Sequence, residues 1–400
     1  MGQINERARR LQPSETLAVK AKANELKAAG RTIFDLSAGE PDIDTPEHIK
    51  AAAVEALRLG KTKYGNVSGN PELREAIAHK VTTENGLPTK PGEVIVTNGG
   101  KQALYSLFQV TVEPGDEVIV PAPYWVSYPA MIELAGGRPI IVRTTAASRY
   151  KLTPEQLRAA LSPRTRWVVV NSPSNPTGFG YTRNDLRALG DVLQGTRVGV
   201  ISDEVYEKLC FSHFEFHSFG AVCPEMIDRV VTVNAFSKTY SMTGWRVGYA
   251  VGPKEIIEAM GRHQSQTTSN VNTIAQAAAY AALRGNHDFL RPMVESFQRR
   301  MKLASEILAT EPLLASAGEP DGAFYLFVGA SDFFRTPGGA RLGGSGALAS
   351  ALLETGGVAV VPGQAFGDDH AFRVSISSAE ENVRNGMQAL VQAVRALAER

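Results

Sequence analysis

Seven short apolar runs, each bounded by polar or turn-forming residues, recur through the middle of the chain and restrict its fold more than any other feature. They are EVIVTN (93–98), DEVIVPA (116–122), RPIIVR (138–143), RWVVVNSP (166–173), RVGVISDE (197–204), RVVTVNAF (229–236) and RVGYAVG (246–252). Runs rich in valine and isoleucine with no polar alternation predict strands buried on both faces. Amphipathic stretches such as GKQALYSLFQVTV (100–112) and TRNDLRALGDVLQ (182–194) lie between them and predict covering helices. The expected architecture is α/β, with a mostly parallel seven-stranded sheet between helices over about residues 46–285.

Four hundred residues exceed the usual size of one compact core, so two domains are expected. A long helical section (286–311) is followed by the shorter runs GAFYLFV (322–328), GVAVVPG (357–363) and FRVSIS (372–377), then a helix over about 380–398. Residues 286–400 therefore read as a smaller α+β domain, joined by the N-terminal segment 1–45. TPGGARLGGSG (336–346) holds five glycines and one proline, which predicts a mobile loop or insertion.

Composition excludes several classes. Forty-two basic residues against forty-one acidic, with no basic block, argue against a nucleic-acid partner. No apolar window reaches membrane-spanning length, and the charged N-terminus has no signal-peptide core, so a cytoplasmic protein is expected. Cys210 and Cys223 are too few for a disulfide framework and form no metal-type pair. His213 and His217 have metal-like spacing in an aromatic run but no evident third ligand, and predict packing rather than coordination.

The chemistry gathers where the strand runs end. Lys238 directly follows VVTVNAF; a lysine behind a buried strand loses solvation, which lowers its pKa and makes the neutral amine available to attack a carbonyl. Ser237 and Arg246 beside it pair a hydroxyl with a fixed cation, suited to a phosphate ester, and Gly244 and Gly248 leave room for close backbone approach. Gly99-Gly100 before a helix is either an anion cradle or a plain tight turn. Tyr124, Trp125 and Tyr128, in PAPYWVSYP (121–129), are placed either to stack on a planar ligand or to join an aromatic core. Asn175 sits in the irregular NSPSNPTG (171–178), and Asp203 is a carboxylate that burial would penalise unless a cation faces it. Arg373 opens a buried run and requires a counter-ion, from a substrate carboxylate or an internal ion pair.

Together LSAGEPDIDTP (36–46), GKTKYGNVSGNPELREAI (60–77), PYWVSYP (123–129), NSPSNPTG (171–178), SDEVYE (202–207) and FSKTYSMTGWRVGY (236–249) resemble the class I/II aminotransferases that depend on pyridoxal 5′-phosphate, of fold type I. The resemblance spans nearly the whole chain and is nearest to the bacterial and archaeal 1β branch of the aspartate enzymes. It implies that Lys238 is the Schiff-base lysine, that Asp203 keeps the pyridine nitrogen protonated, and that Asn175 and Tyr206 bind the phenolic oxygen. It places Trp125 against the ring, and Gly100, Lys101, Ser237 and Arg246 at the phosphate. Tyr64 is implied to reach the phosphate from a second subunit, hence a homodimer; Arg373 to bind the α-carboxylate; and Gly39 to lie in the loop covering the substrate.

The implied activity is ping-pong transfer of an amino group between an L-amino acid, foremost aspartate, and 2-oxoglutarate. Lys101 could place a cation for a distal carboxylate or serve the cofactor phosphate. An enzyme of the same cofactor specialised for another amino acid is the alternative. Family members acting on prephenate tend to carry a basic residue where this chain has Gln12, which argues against that substrate.

Overall fold

The computed structural model describes residues 3–5, 9, 11 and 15–400. All seven apolar runs form one sheet: β1 (Val94–Thr97), β2 (Glu117–Ala122), β3 (Arg138–Arg143), β4 (Thr165–Asn171), β5 (Gly199–Asp203), β6 (Val230–Ala235) and β7 (Gly248–Val251), in the order β1-β7-β6-β5-β4-β2-β3. Successive residues point to opposite faces, and both faces are covered. In β4, Trp167 and Val169 enter one apolar cluster, with Leu104, Leu107 and Phe108 of the helix Gly100–Thr111. Val168 and Val170 enter another, with Leu186, Leu189 and Leu193 of the helix Arg183–Leu193. Burial on both sides is why these strands carry no polar alternation.

One strand breaks the parallel pattern. β7 runs antiparallel to both its neighbours, β1 and β6. The chain leaving β6 makes only a four-residue helix, Phe236–Thr239, and curls back along the sheet edge, with Phe236 N–H donating to Val247 O at 3.1 Å. Without a crossover over the sheet face, a parallel return is impossible. Arg246, which precedes β7, therefore lies at the same edge as the residues that follow the parallel strands. Gly248 sits opposite Thr97 and Ala235 there, and a Cβ on it would stand 2.5 Å from Gly100 N. Gly244, by contrast, has open space around it.

The rest of the chain builds a second layer. Val361–Pro362, Ala371–Ser375 and Tyr325–Gly329 form a three-stranded antiparallel sheet with Ala371–Ser375 in the centre. The helices Leu290–Leu308 and Glu380–Ala398 bury Phe297, Met301, Met387, Leu390 and Val394 in the cluster beneath it. Phe34–Asp35 pairs in parallel with Val358–Ala359, and Ser375 N–H donates to Leu36 O at 2.7 Å. Residues 37–40 are thereby suspended between the two sheets.

The glycine-rich stretch 336–346 is not the loop that its composition predicts. Pro337–Leu342 is a helix capped by Thr336, Gly343 (φ 74°) turns the chain, and a second helix, Ser345–Gly356, follows with Asp369 accepting from Ser345 N at 2.9 Å and Oγ at 2.8 Å. The glycines serve contact rather than freedom: a Cβ on Gly338 would lie 1.8 Å from Leu397 O, and one on Gly339 2.0 Å from Phe333 O. Gly338→Ala gains helix propensity but must push the C-terminal helix away. A net loss of about 1–3 kcal/mol in denaturant unfolding is expected.

Candidate active site

The carboxyl ends of β4, β5 and β6, the start of β7 and the segment 37–40 enclose a cavity of about 390 Å³, within the range of small-molecule sites. Gly39, Gly100, Lys101, Trp125, Asn175, Asp203, Tyr206, Ser237, Lys238, Arg246 and Arg373 all line it. Ser37 and Arg373, 336 positions apart in sequence, thus share one wall. The lining residues meet because they stand at strand ends on one sheet edge or on the facing segments 37–40 and Ala371–Ser375. Tyr64 alone among the sequence candidates lies elsewhere, 92% exposed on the surface.

Lys238 is half-buried and donates from Nζ to Gly39 O. Burial, opposed by Glu40 and reinforced by the Arg373 and Arg246 cations, brings its ammonium down to about 8. A substantial fraction of free amine is thus present at mildly basic pH. Glu40 itself accepts from Lys20 Nζ at 3.1 Å and Thr243 Oγ1 at 2.9 Å, and is held below the usual carboxylate range chiefly by Lys20.

Asp203 ends β5, level with Asn171 on β4. It is 6% exposed, and accepts from Tyr128 Oη at 2.5 Å and from Val205 N–H at 3.4 Å. Burial raises its carboxyl to about 6 despite those two donors. No described cation forms an ion pair with it. Asn171 fixes the same level: its Nδ2 donates to Asp203 O at 3.0 Å while its Oδ1 accepts from Asn175 N–H at 2.9 Å.

Arg373 is 2% exposed. Its Nη1 donates to Asn175 Oδ1 and its Nη2 to Ser37 O, both at 2.9 Å, and its guanidinium lies 4.3 Å from the ring centre of Tyr325. Nε has no partner, and among the described residues no carboxylate pairs with it. The internal ion pair left open by the sequence is absent, so a buried cation faces the cavity uncompensated. Tyr206 Oη lies 3.0 Å from Tyr325 Oη, and burial pushes both phenols up. Trp125 meets Tyr128 edge-on at 5.3 Å, and Lys101 Nζ stands 5.1 Å over the Trp125 ring. Burial, with Arg246 nearby, lowers the Lys101 ammonium.

Sequence reasoning missed Asn171 and Tyr325 as site residues, and placed Tyr128 among possible stacking aromatics rather than as the donor to Asp203. Tyr128 was visible only as one aromatic of PAPYWVSYP, and Tyr325 sits inside an apolar strand run where a phenol looks like core. His213 packs outside the site, with Nε2 3.4 Å from Asp321.

The cavity fits pyridoxal phosphate at three points. Asp203 is a buried carboxylate lacking a cation, which a pyridinium N–H would supply. Gly99-Gly100 at the start of a twelve-residue helix, with Ser237 and Arg246, forms a cationic cradle for a phosphate. Gly99 itself has φ 82°, and a Cβ there would stand 2.6 Å from Arg246 Nη2. Lys238 offers an amine of lowered pKa between these two ends of the site.

Known proteins agree with that chemistry. The sequence model of the family described as aminotransferase class I and II matches residues 31–390. A Cereibacter sphaeroides protein named aspartate/prephenate aminotransferase is 50% identical over 387 residues, covering 96% of each chain. A Geobacillus stearothermophilus aspartate aminotransferase is 44% identical over 385 residues, covering 96% of this chain and 97% of its own. Among solved structures, the aspartate aminotransferase of Rhizobium meliloti superposes with a TM-score of 0.94 at 42% identity over 99% of both chains. That of Thermus thermophilus with maleate gives 0.91 at 44% identity, over 98% of this chain and all of its own. The chain belongs to the class I and II aminotransferases. It is accordingly a pyridoxal-phosphate-dependent enzyme that uses amino-acid and 2-oxo-acid substrates.

Proposed function

We propose that the protein transfers the amino group of L-aspartate to 2-oxoglutarate. The observation that carries this is the pairing of two cations without carboxylate partners among the described residues, the buried Arg373 and the exposed Lys101, in the cavity that holds Lys238. A dicarboxylic amino acid supplies one carboxylate for each. Arg373, fixed by Asn175 and Ser37, holds the α-carboxylate and so orients the α C–H bond; Lys101 takes the distal one as a point charge. The maleate complex of the Thermus thermophilus relative agrees with a dicarboxylate site.

Bound there, the pyridinium ring supplies the electron sink for the charge left when the α-proton departs. Asp203 would keep the ring nitrogen protonated, with Tyr128 holding its carboxylate and Asn171 its backbone carbonyl. Asn175 and Tyr206 donate to the phenolic oxygen, and Trp125 covers the ring face. Gly100, Ser237 and Arg246 hold the phosphate. Lys238 would take the α-proton on its free amine and give it back on the cofactor side. Gly39, whose carbonyl accepts from Lys238, would lie in the segment that covers the substrate.

The assignment extends to a homodimer, because a tyrosine as exposed as Tyr64 is suited to a neighbouring subunit's phosphate cradle. It also includes a cytoplasmic location and a division into the segment 1–45, a cofactor-binding body 46–285 and a smaller domain 286–400. The test is a single turnover without acceptor: one equivalent of oxaloacetate released per site from aspartate, and little from alanine or phenylalanine. Lys101→Ser should raise KM for aspartate by roughly 10-fold or more while leaving alanine nearly unchanged, since only the former loses a charge pair. Equal effects on both would refute the specificity role.

Prephenate is the second reading, favoured by the name of the Cereibacter sphaeroides relative. Gln12 stands against it and lies outside the described residues. Amination of prephenate by the natural protein, compared with Gln12→Lys, decides between them.

A further inference from the structure

The segment SDEVYE (202–207) divides its side chains between the cavity and the protein interior behind it. Asp203, Val205 and Tyr206 line the cavity, whereas Glu204 and Glu207 turn away from it and are buried. Glu207 pairs with Lys80 of the helix Pro71–Glu84 and accepts from Nδ2 of Asn85, the residue that ends that helix. Both side chains of the pair are within a few per cent of full burial, 6% exposed for Lys80 and 5% for Glu207. Glu204 takes hydrogen bonds from Ser202 Oγ at 2.8 Å, Ser218 Oγ at 2.6 Å and Asn85 Nδ2 at 3.4 Å.

A buried ion pair is a poor source of stability, because desolvation offsets most of its attraction and a well-packed apolar pair does as well or better. What a fully satisfied buried network does supply is a single fixed geometry. Here the network grips a turn from the side opposite Tyr128 and Tyr325, and adds to its backbone bonds: Glu204 N–H donates to Val233 O at 2.9 Å, Glu207 N–H to Glu204 O at 3.0 Å, and Leu209 N–H to Tyr206 O at 2.8 Å. One lysine faces two carboxylates, and the burden is divided unequally. Against the upward push of burial, Lys80 keeps Glu207 below its ordinary range, while burial and then Glu207 raise Glu204 to about 7.

We infer that the Lys80–Glu207 pair, closed by Asn85, is a positioning device that fixes the Asp203–Tyr206 turn against the cofactor ring from the side away from the cavity. The inference rests on the reading that Asp203 and Tyr206 hold the ring. Lys80 and Glu207 touch neither substrate nor cofactor; they act by denying the turn alternative conformations.

The decisive variant is the double replacement Lys80→Met with Glu207→Met, since either alone strands a buried charge and lowers thermal stability. The double variant should recover the melting temperature of the cofactor-free protein. It should still bind pyridoxal phosphate roughly 10- to 100-fold more weakly, read from quenching of tryptophan fluorescence, and show a lowered kcat with KM for aspartate nearly unchanged. Recovery of melting temperature, cofactor Kd and kcat together would reduce the pair to a structural role and overturn the inference. Should the double variant fail to fold, Glu207→Gln, which keeps the shape and the Asn85 contact, must still raise the cofactor Kd; a natural value overturns the inference equally. Asp203→Asn is the control. If it leaves cofactor affinity and turnover intact, the reading of the site fails; if it impairs them while the double variant matches the natural protein, only the positioning role falls.

Discussion

Lys238→Ala is expected to lower turnover with aspartate by at least about 10⁴-fold, because in the proposed mechanism one side chain both holds the cofactor covalently and moves the α-proton. The variant should still take up pyridoxal phosphate through the cradle of Gly100, Ser237 and Arg246, yet borohydride reduction should no longer fix it to the chain. In the natural, cofactor-free protein the amine titrates near 8, so about half of it is free at pH 8, against well under about 1% for an ordinary lysine. The rate of cofactor capture should therefore rise as pH passes through 8 and then level off. Stability follows the same group with a definite sign. The folded pKa lies below the ordinary 10.5, so the unfolded chain binds more protons between the two values and the natural protein gains stability as pH rises from about 8. The alanine variant lacks that slope. Turnover close to natural, or a capture rate indifferent to pH, would remove Lys238 from the chemistry.

Most of this site was legible in the sequence because its residues stand beside strong local signals. Lys238 follows an apolar strand run, Asp203 ends another and Asn175 lies between prolines, so the strand ends locate them once the sheet is recognised. What was not legible depends on contacts distant in sequence. Tyr128 and Tyr325 have ordinary local contexts, and only the folded chain brings one phenol to Asp203 and the other to Tyr206. The direction of β7 is set by how the chain curls after Phe236, which no strand pattern records. Glycines at 338 and 339 looked like freedom because composition cannot show Leu397 O and Phe333 O pressed against them. The counter-ion of Arg373 was an open choice until its surroundings proved to hold amide, carbonyl and aromatic groups but, among the described residues, no carboxylate partner.

Asp203→Asn should separate function from stability in opposite directions. Asparagine keeps the shape and can still meet Tyr128, but it carries no charge to hold the ring nitrogen protonated, so kcat should fall by roughly 10²- to 10³-fold. In the cofactor-free protein the same replacement should help. The folded carboxyl titrates near 6 against an ordinary 3.8, so the folded chain binds more protons across that window, and the stability contributed by protonated Asp203 is lost as pH rises from about 4 to 6. Above pH 6 the natural chain carries a buried carboxylate without a cation, at a penalty of up to about 3 kcal/mol that asparagine avoids. Denaturant unfolding of the two cofactor-free proteins should diverge over pH 4–6 in favour of the asparagine variant and run in parallel above it. Adding pyridoxal phosphate should reverse the order, because the pyridinium gives the natural carboxylate the partner that burial demands. A natural protein that tolerates this charge when empty is one whose site is shaped for the loaded state, and the crossing of the two stability curves on cofactor addition measures how strongly.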